Sequence, residues 1–173
     1  MKTALFFAMS LYQALCIAKP TTEAIEACVK GESVGATASY TEIVVHEYND
    51  AEDNESDKTV TTFKYGKESI GIWQSAKPQR FGLTYNQKEV ELDLITRLSS
   101  EKPVPFDPYR AVWATIRSGP KSYVCIAFNF DGLGQSGTFQ TVRGVYLFER
   151  KAPSFRPYYT VGRVTDHGVI LAR

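Results

Sequence analysis

Residues 122–149 read SYVCIAFNFDGLGQSGTFQTVRGVYLFE, and the way this stretch is parsed decides the fold. Its centre, GLGQSG at 132–137, spells G-x-G-x-x-G. In a doubly wound nucleotide-binding domain that pattern follows a strand and opens a helix, whose first free N–H groups hold a pyrophosphate. A strand-like segment does precede it here. The segment on its C-terminal side is rich in Thr, Val, Phe and Tyr, and only 36 residues remain after Gly137, too few to complete such a sheet. The glycines are therefore read as a hairpin loop, Asp131 to Gly137, between two long aromatic strands. Ser136 does not complete a nucleophile elbow either, because Thr138 stands where G-x-S-x-G needs its second glycine.

Working outward, the same signals recur: short β-branched and aromatic runs separated by turn residues. Strands are expected at YTEIVVHEY from Tyr40, TVTTFKY from Thr59, SIGIWQ from Ser69, RFGLTY from Arg80, AVWATIRS from Ala111, YYTVGRVT from Tyr158 and GVILA from Gly168. One short helix is expected at TTEAIEACVKG, with Thr22 as cap and Gly31 as stop. KEVELDLITRLSS, residues 88–100, fits both periods and is read as strand. SSEKPVPFDPYR holds Pro103, Pro105 and Pro108, so it is read as a long crossing loop. The expected fold is a single mainly β domain, an antiparallel sandwich or distorted barrel with a short N-terminal helix.

The first 18 residues are set apart. MKTALFFAMSLYQALCIA has one basic residue, then an apolar run ending in a small residue, and reads as a secretory signal peptide; residues 19–173 form the domain. No stretch is long and apolar enough to be read as a membrane span. Of the three cysteines Cys16 falls in the leader, leaving Cys28 and Cys125, which an oxidising compartment should join.

Residues 19–109 carry 10 Lys and Arg against 16 Asp and Glu, a net of minus 6, and residues 110–173 carry 9 against 3, a net of plus 6. Zero net charge over residues 19–173 argues against nucleic acid or an anionic membrane as the partner, and the segregation predicts a polar molecule with complementary parts. The acidic run NDAEDNESD, residues 49–57, lacks the spacing of a calcium loop and is read as a solvated hairpin tip, with a glycosylation sequon at Asn54-Glu55-Ser56. The sequence offers no His-x-His or Cys-x-x-Cys pair for zinc, and no cofactor is expected. His46 and His167 are the only histidines, and as an acid–base pair they would define a secreted nuclease-like hydrolase.

Gly71-Ile72-Trp73 resembles the G-x-W of the lipocalins, secreted β-barrels in which the motif opens the barrel. The resemblance covers three residues and implies a small-ligand barrel. Here several expected strands precede the motif, and other signatures of that family are missing.

With no catalytic constellation surviving, the sequence is read as an exported binding protein, secreted or periplasmic, of the inhibitor or immunity-protein kind. It would engage a protein partner, such as a secreted toxic enzyme, through the glycine-rich hairpin. The expected contacts are Asp131, Leu133, Gln135 and Ser136 on the loop, with Phe139 and Arg143 beside it.

Overall fold

A computed structural model describes residues 19–53, 57–130 and 141–172. The expected leader and the whole glycine-rich loop, Asp131 to Gly137, lie outside them. The described residues form one α-helix and two open, mainly antiparallel sheets packed as a sandwich. The first sheet has seven strands in the order β1 (Ala38–Glu42), β8 (Val112–Ser118), β9 (Lys121–Asn129), β10 (Val142–Glu149), β11 (Tyr158–Thr165) and β12 (Gly168–Leu171), with the two-residue β7 (Thr96–Arg97) lying parallel to β11. The second runs β2 (Asn49–Asp53), β3 (Lys58–Tyr65), β4 (Glu68–Ala76), β5 (Gln79–Tyr85) and β6 (Lys88–Glu91) as a meander. Neither sheet closes, which overturns the small-ligand barrel: Gly71 and Trp73 sit within β4, in the middle of an open meander, and open no barrel.

Side-chain alternation explains the layers. In β9 Tyr123, Cys125 and Ala127 face one way, and Val124, Ile126 and Phe128 the other; all six are buried. A strand covered on both faces reads as an unbroken apolar run, which is why YVCIAF has no polar gap. β10 behaves alike, with Val145 and Leu147 on one face and Tyr146 and Phe148 on the other. One face packs on Phe63, Ile70 and Leu83 of the second sheet, the other on the helix.

The helix, α1 (Thr22–Lys30), buries Ala24, Ile25, Ala27, Cys28 and Val29. Thr21, and not the expected Thr22, is its cap: Thr21 is extended at ψ 156°, and its hydroxyl accepts from the Ala24 N–H at 3.2 Å. Gly31 ends the helix at φ 75°, a left-handed conformation that costs a side-chain-bearing residue about 1 kcal/mol or more. Cys28 and Cys125 are joined, as expected, with Cα atoms 5.7 Å apart, so the disulfide ties the helix to the middle of the first sheet.

Three readings change. The run from Tyr40 is a strand only to Glu42; after the Ile43 N–H bonds the Trp113 carbonyl, the chain leaves the first sheet for the second. Residues 88–100 divide into β6, a 3-10 turn at Leu92–Leu94 and β7, because Leu92 and Ile95 turn into the core. The acidic segment is not a tip throughout: Asn49–Asp53 pair with β3 as an edge strand, where exposed carboxylates discourage further pairing. Its sequon lies outside the described residues.

The proline-rich segment crosses between the sheets as expected. The Tyr146 hydroxyl donates to the Val104 carbonyl at 2.6 Å, Trp113 Nε1 and the Tyr48 hydroxyl both donate to the Pro108 carbonyl, and Phe106 stacks on Phe128 at 4.9 Å. Backbone carbonyls freed by the prolines are thus bonded by aromatic side chains, so the loop can be part of the core.

Candidate functional site

The β9–β10 ladder stays paired up to the base of the glycine-rich loop. Asn129 faces Arg143, and the Phe130 N–H donates to the Val142 carbonyl at 3.1 Å. A stiff two-stranded stem therefore carries the loop at one end of the sandwich. Asp131, Leu133, Gln135, Ser136 and Phe139 lie outside the described residues. The next described element after them is the strand β10.

Register places two exposed apolar side chains, Val112 and Ile170, near the ends of strands to either side of this stem, and two more, Val44 and Tyr109, lie close in sequence to β1 and β8. Val112 faces Ala127 near the end of β9, and Ile170 faces Arg163, whose other neighbour is Val142 at the start of β10. Val44 follows the Ile43–Trp113 contact, and Tyr109 lies three residues before Val112. They are 39%, 62%, 68% and 58% exposed, and the other large exposed apolar residue among the described residues, Leu94, belongs to the opposite end. Two clefts flank the loop's base and share Phe130. One, of about 410 Å³, runs between Val104–Asp107 and Phe128–Phe130; the other, of about 360 Å³, lies between Val142, Val161 and Ile170. The Tyr109 hydroxyl donates to Asp50 Oδ2 at 2.6 Å, which lowers the Asp50 carboxyl and raises the phenol.

Arg143 is the one expected contact residue that the structure describes, and it has a structural task. Its Nη1 donates to the carbonyls of Val29 at 3.0 Å and Lys30 at 2.9 Å, closing the C-terminus of α1 with a positive charge where the helix dipole favours one.

The histidines are not brought together. His46 lines a cleft with Val45, Tyr48 and Phe63 where the chain passes between sheets, and His167 has no part in it. His167 sits on the turn from β11 to β12, at the edge of the first sheet opposite β1, with four strands between those edges. Among the described residues no group of three His, Cys, Asp or Glu side chains is placed to hold a metal, and no helix is long and apolar enough to cross a membrane.

Comparison with protein-family models, with curated proteins and with solved structures finds no match.

Sequence reasoning pointed to the loop and missed its surroundings. Val112 alternates outward from buried Trp113 and was legible as a solvent-facing apolar residue. Val44, Tyr109 and Ile170 carried no such signal, since their exposure depends on how the strands pack.

Proposed function

We propose that the protein is an exported binding protein, secreted or periplasmic, that engages a protein partner with the end of the sandwich carrying residues 131–140. The observation that supports this is the paired β9–β10 stem that leads into residues 131–140, with the exposed apolar side chains Val112 and Ile170 on strands to either side of it. The loop is the insertion element, with Leu133 as apolar anchor and Gln135 and Ser136 as hydrogen-bonding groups. Inhibition of a secreted toxic enzyme is the activity that suits an insertion element on a disulfide-tied scaffold.

The test has two stages. Cross-linking in the exported fraction of the source cells, followed by mass spectrometry, identifies the partner, and sequencing of the mature chain should begin at Lys19. Calorimetric titration should then show Ile170→Asp and Leu133→Ala weakening binding by about 1–3 kcal/mol each. Leu94→Asp, at the far end, should leave it unchanged. Equal effects at both ends would defeat the proposal.

A further inference from the structure

A second site lies at the other end of the sandwich and is independent of the protein-binding surface. There Glu68 opens β4, Tyr85 closes β5 and Lys88 opens β6, while Glu149 closes β10 and residues 151–155 run on from it. Between them is a cleft of about 200 Å³, bounded on its apolar side by Tyr85, Ala152 and Phe155. At interior packing densities that space suits a molecule on the order of ten non-hydrogen atoms.

We propose that this cleft binds a small organic carboxylate, held by Lys88, Lys151 and the Tyr85 hydroxyl.

Charge accounting selects the sign. Of the lining carboxylates, Glu68 is held by Arg150 Nε and Nη2, each at 2.9 Å, and Glu149 by Lys121 at 2.7 Å. Neither Lys88 nor Lys151 has a carboxylate partner among the described residues; Lys88 Nζ donates only to the Pro153 carbonyl, at 3.3 Å. An entering cation would meet two ammonium groups beside carboxylates already engaged. An anion meets two ammonium groups that have no carboxylate partner among the described residues.

The hydroxyl selects the site. Tyr85 is 6% exposed, its ring is fixed against Phe148 and Phe155, and its hydroxyl, beside the Glu68 carboxylate and the Lys151 backbone, makes no hydrogen bond of good geometry among the described residues. Native proteins rarely leave such a donor unused. Burial and the neighbouring Glu68 carboxylate raise the phenol above its ordinary range, so it is a neutral O–H donor at physiological pH. An acceptor oxygen at the cleft wall would complete it. Phe155 and Ala152 favour an organic anion over a bare inorganic one, because they give the ligand's hydrocarbon part a place out of water.

The experiment is an amide NMR titration of the mature protein with benzoate, with neutral benzamide and with inorganic phosphate. Benzoate should shift the amides of Asn86, Lys151, Ala152 and Ser154 saturably in the millimolar range, with benzamide and phosphate far weaker. Lys88→Gln with Lys151→Gln should weaken benzoate by about tenfold. Tyr85→Phe should weaken it too while raising the melting temperature of the ligand-free protein, a combination that damage to the fold would not produce. Absence of saturable benzoate shifts, benzamide binding as tightly, or phosphate binding as tightly would each overturn the proposal. None of these outcomes bears on the loop-end surface.

Discussion

Glu68 of β4 and Arg150, the residue after β10, join the two sheets by a side-on ion pair, with Arg150 Nε 3.2 and 2.9 Å from the two carboxylate oxygens. Arg150 also lies 5.3 Å from the centre of the Tyr65 ring, so the guanidinium is engaged on its edge and near its face. Elsewhere the sheets meet through apolar packing. This pair sits at the rim, where it fixes their relative alignment.

Removing one partner leaves the other charge without its counterion. Glu68→Gln should therefore destabilise by roughly 2 kcal/mol, less than the loss of a fully buried pair because the Arg150 side chain keeps 22% exposure. The double variant Glu68→Gln with Arg150→Met should recover part of that loss. Urea unfolding of the four proteins gives the coupling directly, and additive single effects would show that the pair is idle.

The disulfide spans 97 residues of sequence and closes a long loop. Replacing Cys28 and Cys125 together by Ala should cost about 4 kcal/mol, chiefly by freeing the unfolded chain. The urea m-value should rise, since the unlinked chain exposes more surface. A small loss with unchanged m-value would mean that packing of α1 alone constrains the unfolded ensemble.

Arg143 should behave as a helix-closing residue. Arg143→Met keeps most of the stem and loses both bonds to the Val29 and Lys30 carbonyls, and should lower stability by about 1–2 kcal/mol. Partner affinity should change little in the same variant, measured at a temperature where it is folded. A large affinity loss with normal melting would return Arg143 to the recognition surface.

Alkali should unfold the protein through its tyrosines. Burial raises Tyr146 and Tyr159 well above the ordinary phenol range, with Tyr123 raised in the same direction. Once the pH passes about 10, the unfolded chain releases phenolic protons that the folded one retains. The unfolded state then binds fewer protons, so stability is full below that pH and falls above it. Phenolate absorbance should accordingly appear in two stages, exposed tyrosines first and the buried ones together with loss of near-ultraviolet dichroism. A single gradual titration with the fold intact would contradict this.

What the sequence determined by itself was local. Turn residues and β-branched runs marked most strands, and β11 was legible over its full length at Tyr158–Thr165. The absence of a helical pattern after GLGQSG ruled out the nucleotide fold, and two remaining cysteines implied their bond. Each of these depends on neighbours along the chain or on simple parity.

What the tertiary structure decided was everything that depends on strand order. Only pairing sets β1 at one edge and β12 at the other, which separates His46 from His167 and puts Val112 and Ile170 on opposite sides of the β9–β10 stem. Gly82 illustrates the same limit: in sequence it is an interruption of a strand, yet in the fold the Trp73 ring lies where its Cβ would be, so the absence of a side chain is what lets β4 and β5 pack. Arg143 is a free cation in sequence and a helix cap in the fold, because its partners lie 113 and 114 residues away. Hydrophobic patterning says which side of a strand is buried but not which strand lies beside it, and the choice of neighbours is made by the packing of whole sheets.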